Sequence, residues 1–341
     1  MRKTIRRSLA LMAVVVLLIT GSAATPATEE KTEIKVLCIG NSYTQDAAAY
    51  APFIVESLSD GVELTLGISF FPGASIDDYL EIFSEEKPVL QYYKHENGKK
   101  AWNVPEKNTT LQHILEDETW DIVTFQQASR KQGDWSSYSG LNELIERVVE
   151  YASSIHSKEP TPCWLMPALR LSAENMVTFK ATVECVQKVL ETTPVDFVIP
   201  CGTATQNARQ TSLQQLGDSG GLTADTNGHL QEGLPRLLEG YVLAAGILEL
   251  CGEETCELLG ETTRPSDNWA NGRRIPGRRG NAVGITEENC RLAQECALAA
   301  LRGPFSVTVP IEEFMREAIT AFVKSVRAFQ LYGGGNARTA A

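Results

Sequence analysis

Between residues 34 and 201, short apolar runs alternate with segments whose apolar positions recur at helical spacing. Ile34–Ile39 is mostly apolar, and Val62–Ser69 alternates apolar with polar residues. Asp121–Phe125, Cys163–Leu169 and Asp196–Cys201 are further short apolar runs, and each of the five predicts a strand. Leu141–Ile155 shows the helical spacing most plainly, with Leu141, Leu144, Ile145, Val148, Val149 and Ala152 on one face. Helices are also predicted over the Ala-rich run Ala47–Ser57, over Ile76–Phe83, Leu111–Leu115 and Met176–Leu190, near Gln206, and over Leu234–Leu250 and Cys290–Leu301. Strands alternating with helices imply a parallel sheet covered on both faces. The fold class is therefore α/β, a flavodoxin-like three-layer α/β/α sandwich with a five-stranded parallel sheet. Residues 88–110 are polar and aromatic and read as a long surface insertion, a kind of segment that often serves as a lid or binding loop.

The two ends of the chain lie outside this pattern. Arg2, Lys3, Arg6 and Arg7 precede an apolar run from Leu9 to Ile19 and then small residues, which is the layout of a secretory signal cut near Ala24. The expected organisation is a signal peptide at 1–24, a linker at 25–33, one domain at 34–303 and a tail at 304–341 that frays at its glycine-rich end. The protein is expected to be exported, with an uncleaved signal segment as the one route to membrane attachment. The oligomeric state is left open.

Composition narrows the partners. With 341 residues, 43% apolar, the chain can bury a large core. Its formal charge of −12 includes the basic first residues, so the mature chain is more acidic still. Such a surface is a poor match for nucleic acid or anionic membranes and suits a small molecule or glycan. Of the eight cysteines, Cys38, Cys163 and Cys201 fall in or at the ends of strand-like runs, as small hydrophobes do. Cys251 and Cys256 flank a turn-like segment and form the best-placed disulfide pair. No Cys-x-x-Cys occurs, so a zinc knuckle is not indicated.

Gly40-Asn41-Ser42 ends the first strand at the edge where open α/β sheets hold ligands. Ser42 is a nucleophile beside the free N–H groups of a helix start, or it caps that helix. A nucleophilic serine needs a base, and the chain has four histidines. His95 lies in the polar insertion, His156 ends a helix, and His113 has Asp117 at the spacing of a helix-surface pair. His229 follows Asp225 by four residues on the loop Leu222–Gly233, so the carboxylate can orient an imidazole whose other nitrogen meets Ser42. The plain alternative is a surface histidine in an Asn/Gly turn.

Taken together, Gly-Asn-Ser after the first strand, Gly73 after the second, Gln126-Gln127 after the third and the late Asp…His loop resemble the block order of SGNH (GDSL-type) hydrolases. The likeness covers about residues 34–303 and is closest to a bacterial branch known as a domain of unknown function. The segments Trp120–Ser129, Ile199–Arg209 and Leu222–Asp225 carry it. The resemblance implies Ser42 as nucleophile, His229 as general base and Asp225 as its orienting carboxylate. It implies an oxyanion hole from the backbone N–H groups of Ser42 and Gly73 and a side-chain amide of Gln127, with Gln126 the runner-up. It further implies cleavage of acyl esters, often acetyl groups on sugars, with no cofactor and no metal. Three departures stand out: Asn41 in place of the usual Asp, glutamine in place of the oxyanion asparagine, and Asp-x-x-x-His in place of Asp-x-x-His.

The expected function is an exported serine esterase acting on carbohydrate, and the alternative is a non-catalytic glycan-binding protein on a degenerate hydrolase fold. The basic cluster Arg273–Arg279 reads as solvated loop charge before it reads as an anionic-sugar site. Trp102, Trp135 and Trp269 are possible sugar contacts, whereas Trp120 and Trp164 border strands and read as core.

Overall fold

The computed structural model describes residues 31–169, 175–216, 221–225, 227–253 and 283–308. Among these residues seven strands form one sheet: β1 (Thr32–Gly40), β2 (Val62–Phe70), β3 (Leu90–His95), β4 (Asn103–Thr109), β5 (Ile122–Phe125), β6 (Thr161–Leu165) and β7 (Phe197–Ile199). Their order is β4-β3-β2-β1-β5-β6-β7. The strands from β2 to β7 across β1 run parallel, whereas β3 is antiparallel to both β2 and β4. The five strands read from the sequence are the parallel ones, but the sheet is not five-stranded.

The difference lies in residues 88–110, which are not a surface insertion. They supply the β3–β4 hairpin, and β3 pairs with β2 from Leu66↔His95 to Phe70↔Gln91. Leu90 and Tyr92 are buried while Gln91 and Tyr93 are only partly so, the mixed pattern of a strand near a sheet edge. His95 and Trp102 are buried with them, and the Trp102 Nε1–H donates to the Ala49 carbonyl at 3.0 Å. Trp102 is therefore core rather than a sugar contact.

Helices cover both faces. α1 (Ser42–Ala48), α2 (Ala51–Leu58), α7 (Cys201–Arg209), α8 (Leu234–Leu250) and α9 (Glu287–Arg302) pack on one. α3 (Ile76–Ser84), α4 (Leu111–Asp117), α5 (Leu141–His156) and α6 (Asn175–Thr192) pack on the other. The period-two geometry of β1 serves both layers, since Val36 and Cys38 join the first core and Leu37 and Ile39 the second. Each such side chain, fully buried, contributes about 1.5–3 kcal/mol. The first helix begins at Ser42 rather than Ala47, and it is broken in two. Pro52 has no N–H to donate and crowds the carbonyl four residues back, so α1 stops at Ala48 and α2 restarts.

α8 is buried from Leu234 to Leu248, as a helix inside a core must be, yet it carries Arg236 and Glu239. Among the described residues no helix is long and apolar enough to cross a membrane. The signal segment at 1–24, Cys256, Trp269, Arg273–Arg279 and the tail beyond 308 lie outside the described residues.

Candidate active site

The turn after β1 is shaped by crowding. A Cβ on Gly40 would lie 2.1 Å from Thr44 Oγ1 and 2.8 Å from Gln126 Cδ, so only glycine lets the strand pass straight into α1. Asn41 then caps the helix: its side chain accepts from the Tyr43 N–H at 3.1 Å. Its Nδ2 donates to the Ala74 carbonyl at 2.9 Å, which ties this turn to the loop after β2. The capping role thus belongs to Asn41, and the Ser42 hydroxyl is left for another partner. Ser42 Oγ lies 2.7 Å from His229 Nε2.

His229 and Asp225 share a tight loop closed by a Thr223↔Leu230 bridge and by the Ala224 N–H donating to the His229 carbonyl at 2.7 Å. Asp225 Oδ1 accepts from the N–H groups of Asn227 at 2.9 Å and His229 at 3.3 Å. These bonds fold the loop back so that His229 Nδ1 reaches Asp225 Oδ2 at 2.6 Å. The four-residue spacing therefore brings the two side chains together. Burial of the Asp225 carboxyl opposes its charge, but the bonds from His229 and Asn227 outweigh it and hold its pKa below the ordinary carboxylate value. An ionised Asp225 keeps the proton on Nδ1, so Nε2 is the acceptor for the Ser42 O–H.

Tyr43, which sequence reasoning missed, stacks on the imidazole with ring centres 5.2 Å apart and planes at 25°. Its hydroxyl donates to the Asn227 carbonyl. Burial pushes its phenol up to about 12, so it stays neutral at ordinary pH.

Ser42, Asp225 and His229 open into a cleft of about 510 Å³. Phe70 at the end of β2, Pro72 and Gly73 from the loop after it, and Ala128, Ser129 and Arg130 from the loop after β5 line it as well. Gly73 sits at φ +66°, where an added Cβ would meet nothing, so glycine is required there for the backbone and not for space.

The two glutamines do not line the cleft. Gln127 is fully buried; its Nε2 donates to the Ser137 carbonyl at 2.8 Å and to Ser137 Oγ at 3.1 Å. Its Oε1 accepts from the N–H groups of Ala128 at 2.8 Å and Ile76 at 3.3 Å. An amide so committed is not a donor for an oxyanion, and this corrects the expectation for Gln127. Gln126 is buried behind Gly40, and among the described residues neither polar atom of its amide has a hydrogen-bond partner.

The other histidines lie elsewhere: His113 pairs with Glu106 at 3.0 Å rather than with Asp117, and His156 bonds to the Leu115 carbonyl and Thr119. Trp135 stacks on Tyr138 under Lys188, away from the cleft. Cys38, Cys163 and Cys201 are buried free thiols, and burial raises the pKa of each. Among the described residues no three His, Cys, Asp or Glu side chains are placed to hold a metal ion.

The match that places this chain among known sequences covers β1 through α5, and so includes Ser42 and Gly73 but not the His229 loop. Residues 35–158 match the DUF4886 family, described as a domain of unknown function. A crystal structure of a DUF4886 family protein from Bacteroides uniformis is similar to this chain at 24% identity, with a TM-score of 0.64, over 83% of this chain and 100% of that one. At that identity the likeness speaks for the fold, a mixed α/β architecture with a mostly parallel central sheet between helices. No curated protein matches the chain. The DUF4886 match agrees with the expected likeness to a domain of unknown function.

Proposed function

We propose that this protein is an exported serine esterase that removes acyl groups, acetyl foremost, from carbohydrate. The observation that carries the reading is the continuous hydrogen-bonded line from Ser42 Oγ through His229 to Asp225, with spans of 2.7 and 2.6 Å. The parallel strand order β2-β1-β5-β6-β7 supports a flavodoxin-like sandwich of the SGNH hydrolase kind, with the serine at the carboxyl end of the first strand.

In this reading His229 Nε2 takes the hydroxyl proton as Ser42 Oγ attacks the ester carbonyl. Asp225 stabilises the imidazolium that results. The oxyanion is received by the backbone N–H groups of Ser42 and Gly73, each contributing about 3–4 kcal/mol. The intermediate collapses as His229 gives its proton to the departing sugar oxygen. Water, activated by the same imidazole, then attacks the acyl-serine, releasing the acid and restoring the Ser42 hydroxyl.

Purified protein should hydrolyse p-nitrophenyl acetate, and a fluorophosphonate should label Ser42. Equal hydrolysis by wild type and by Ser42→Ala would sink the esterase reading. A second reading, a non-catalytic glycan-binding protein, is favoured by one observation: Gln127 is committed to Ser137, Ala128 and Ile76, which leaves the oxyanion site one donor short. Saturable glycan binding without labelling of Ser42 would select it.

A further inference from the structure

The element that carries the nucleophile also holds the loop that carries the base. Tyr43 and Asp46 of α1, three residues apart and so on one face, and Tyr50 just past its end all reach the segment between residues 227 and 233. The Tyr43 hydroxyl donates to the Asn227 carbonyl, and Tyr50 Oη accepts from the Gly233 N–H at 3.3 Å. Between them, Asp46 Oδ2 accepts from the N–H of Leu230, the residue after the base, at 2.9 Å. Asp46 is itself fixed by Arg236 of α8 at 2.8 Å, and both side chains are fully buried. A carboxylate withdrawn from water is retained where its charge is matched and its lone pairs are used, and here one oxygen serves the guanidinium and the other the loop.

We propose that Asp46 is a positioning residue for the base: by holding the Leu230 N–H, it sets His229 against Ser42, one helical turn before it on α1. This rests on the esterase reading of the site. Asp46 touches no substrate, so it acts through His229 alone. The stretched Asp-x-x-x-His spacing is what makes such an anchor useful, because the longer loop has one more residue to hold in place.

The test compares two double variants of the full chain, Asp46→Asn/Arg236→Met and Asp46→Leu/Arg236→Met. Neither buries an unmatched charge, and they differ chiefly in whether residue 46 offers an acceptor to Leu230. The asparagine pair should keep kcat near wild type on p-nitrophenyl acetate. The leucine pair should lose about 10²-fold in kcat with KM little changed, as expected when a catalytic group is displaced by about 1 Å. In parallel, amide exchange followed by NMR should show the Leu230 N–H protected in wild type and in the asparagine pair, and at least tenfold faster in the leucine pair, with β1 and β5 amides unchanged. Equal kcat and equal Leu230 exchange in the two pairs would overturn the proposal. So would a wild-type Leu230 amide that exchanges as fast as a surface loop, a result that requires no variant to fold. Protection at Leu230 in a wild type that hydrolyses no ester would support the anchor and count against the esterase reading alone.

Discussion

Two of the loops that reach the cleft, the one after β5 and the one around His229, are held in different ways. Each has backbone N–H and C=O groups that must be satisfied near a crowded helix start. The loop after β5 satisfies them with its own side chain: Gln127 turns inward and bonds Ser137, Ala128 and Ile76. The loop around His229 has much of this done by α1, through Tyr43 and Asp46, with Tyr50 just beyond. Asp225 Oδ1 serves the loop's own N–H groups, which leaves Oδ2 for His229 and the far nitrogen of the imidazole for Ser42. The loop braced from α1 as well keeps side-chain atoms free to face the cleft, whereas the whole Gln127 amide is used in holding its surroundings.

The sharpest way to break this contrast is to remove the presented groups. Ser42→Ala and His229→Ala should each lower kcat by about 10⁴-fold or more, measured on p-nitrophenyl acetate, with thermal stability little altered. Next in size is removal of the outside support. Arg236→Met alone leaves the Asp46 carboxylate buried without its cation, and should destabilise by about 3–5 kcal/mol in urea unfolding.

Below that support lies Glu239, whose Oε1 accepts from Thr205 Oγ1 at 3.0 Å. Burial first, and then the Asp46 charge, push its pKa from 4.5 up to about 8. The folded state therefore holds a proton that the unfolded chain releases above 4.5, so this group makes stability fall as pH rises from about 4.5 to about 8. Glu239→Gln should flatten that slope, and denaturant midpoints across the window would check it. The smallest effect is expected in the self-supporting loop. Gln127→Ala should cost about 1–3 kcal/mol of stability through the bonds it leaves unmade. Its kcat should stay within about tenfold of wild type, whereas loss of an oxyanion donor would cost about 10²–10³-fold.

Much of this was legible in the chain, for local reasons. The five parallel strands announce themselves as short apolar runs, and Gly40-Asn41-Ser42 and Asp225…His229 are compact signals at the ends of such runs. The β3–β4 hairpin was hidden because strands at and next to a sheet edge bury only part of their surface, so Gln91, Lys94 and their neighbours look like loop. Gln126 and Gln127 are adjacent and chemically identical, and nothing in their order says which one Ser137 will take. Asp46 stands just before the Ala-rich run with nothing local to single it out, because its partners are 184 and 190 residues away. A clue was present all the same: Arg236 and Glu239 interrupt an apolar helix, and charges inside such a helix require buried partners.

The shared seat of Ser42 and Asp46 on α1 has a mechanical consequence. When a helix layer shifts against its sheet, atoms borne by different elements drift apart, and reactive spacings blur. Here the hydroxyl and the strut beneath the imidazole ride on one short rod, so they travel together. A displacement common to both cancels in the gap between oxygen and nitrogen, which makes that gap insensitive to breathing of the surrounding layers.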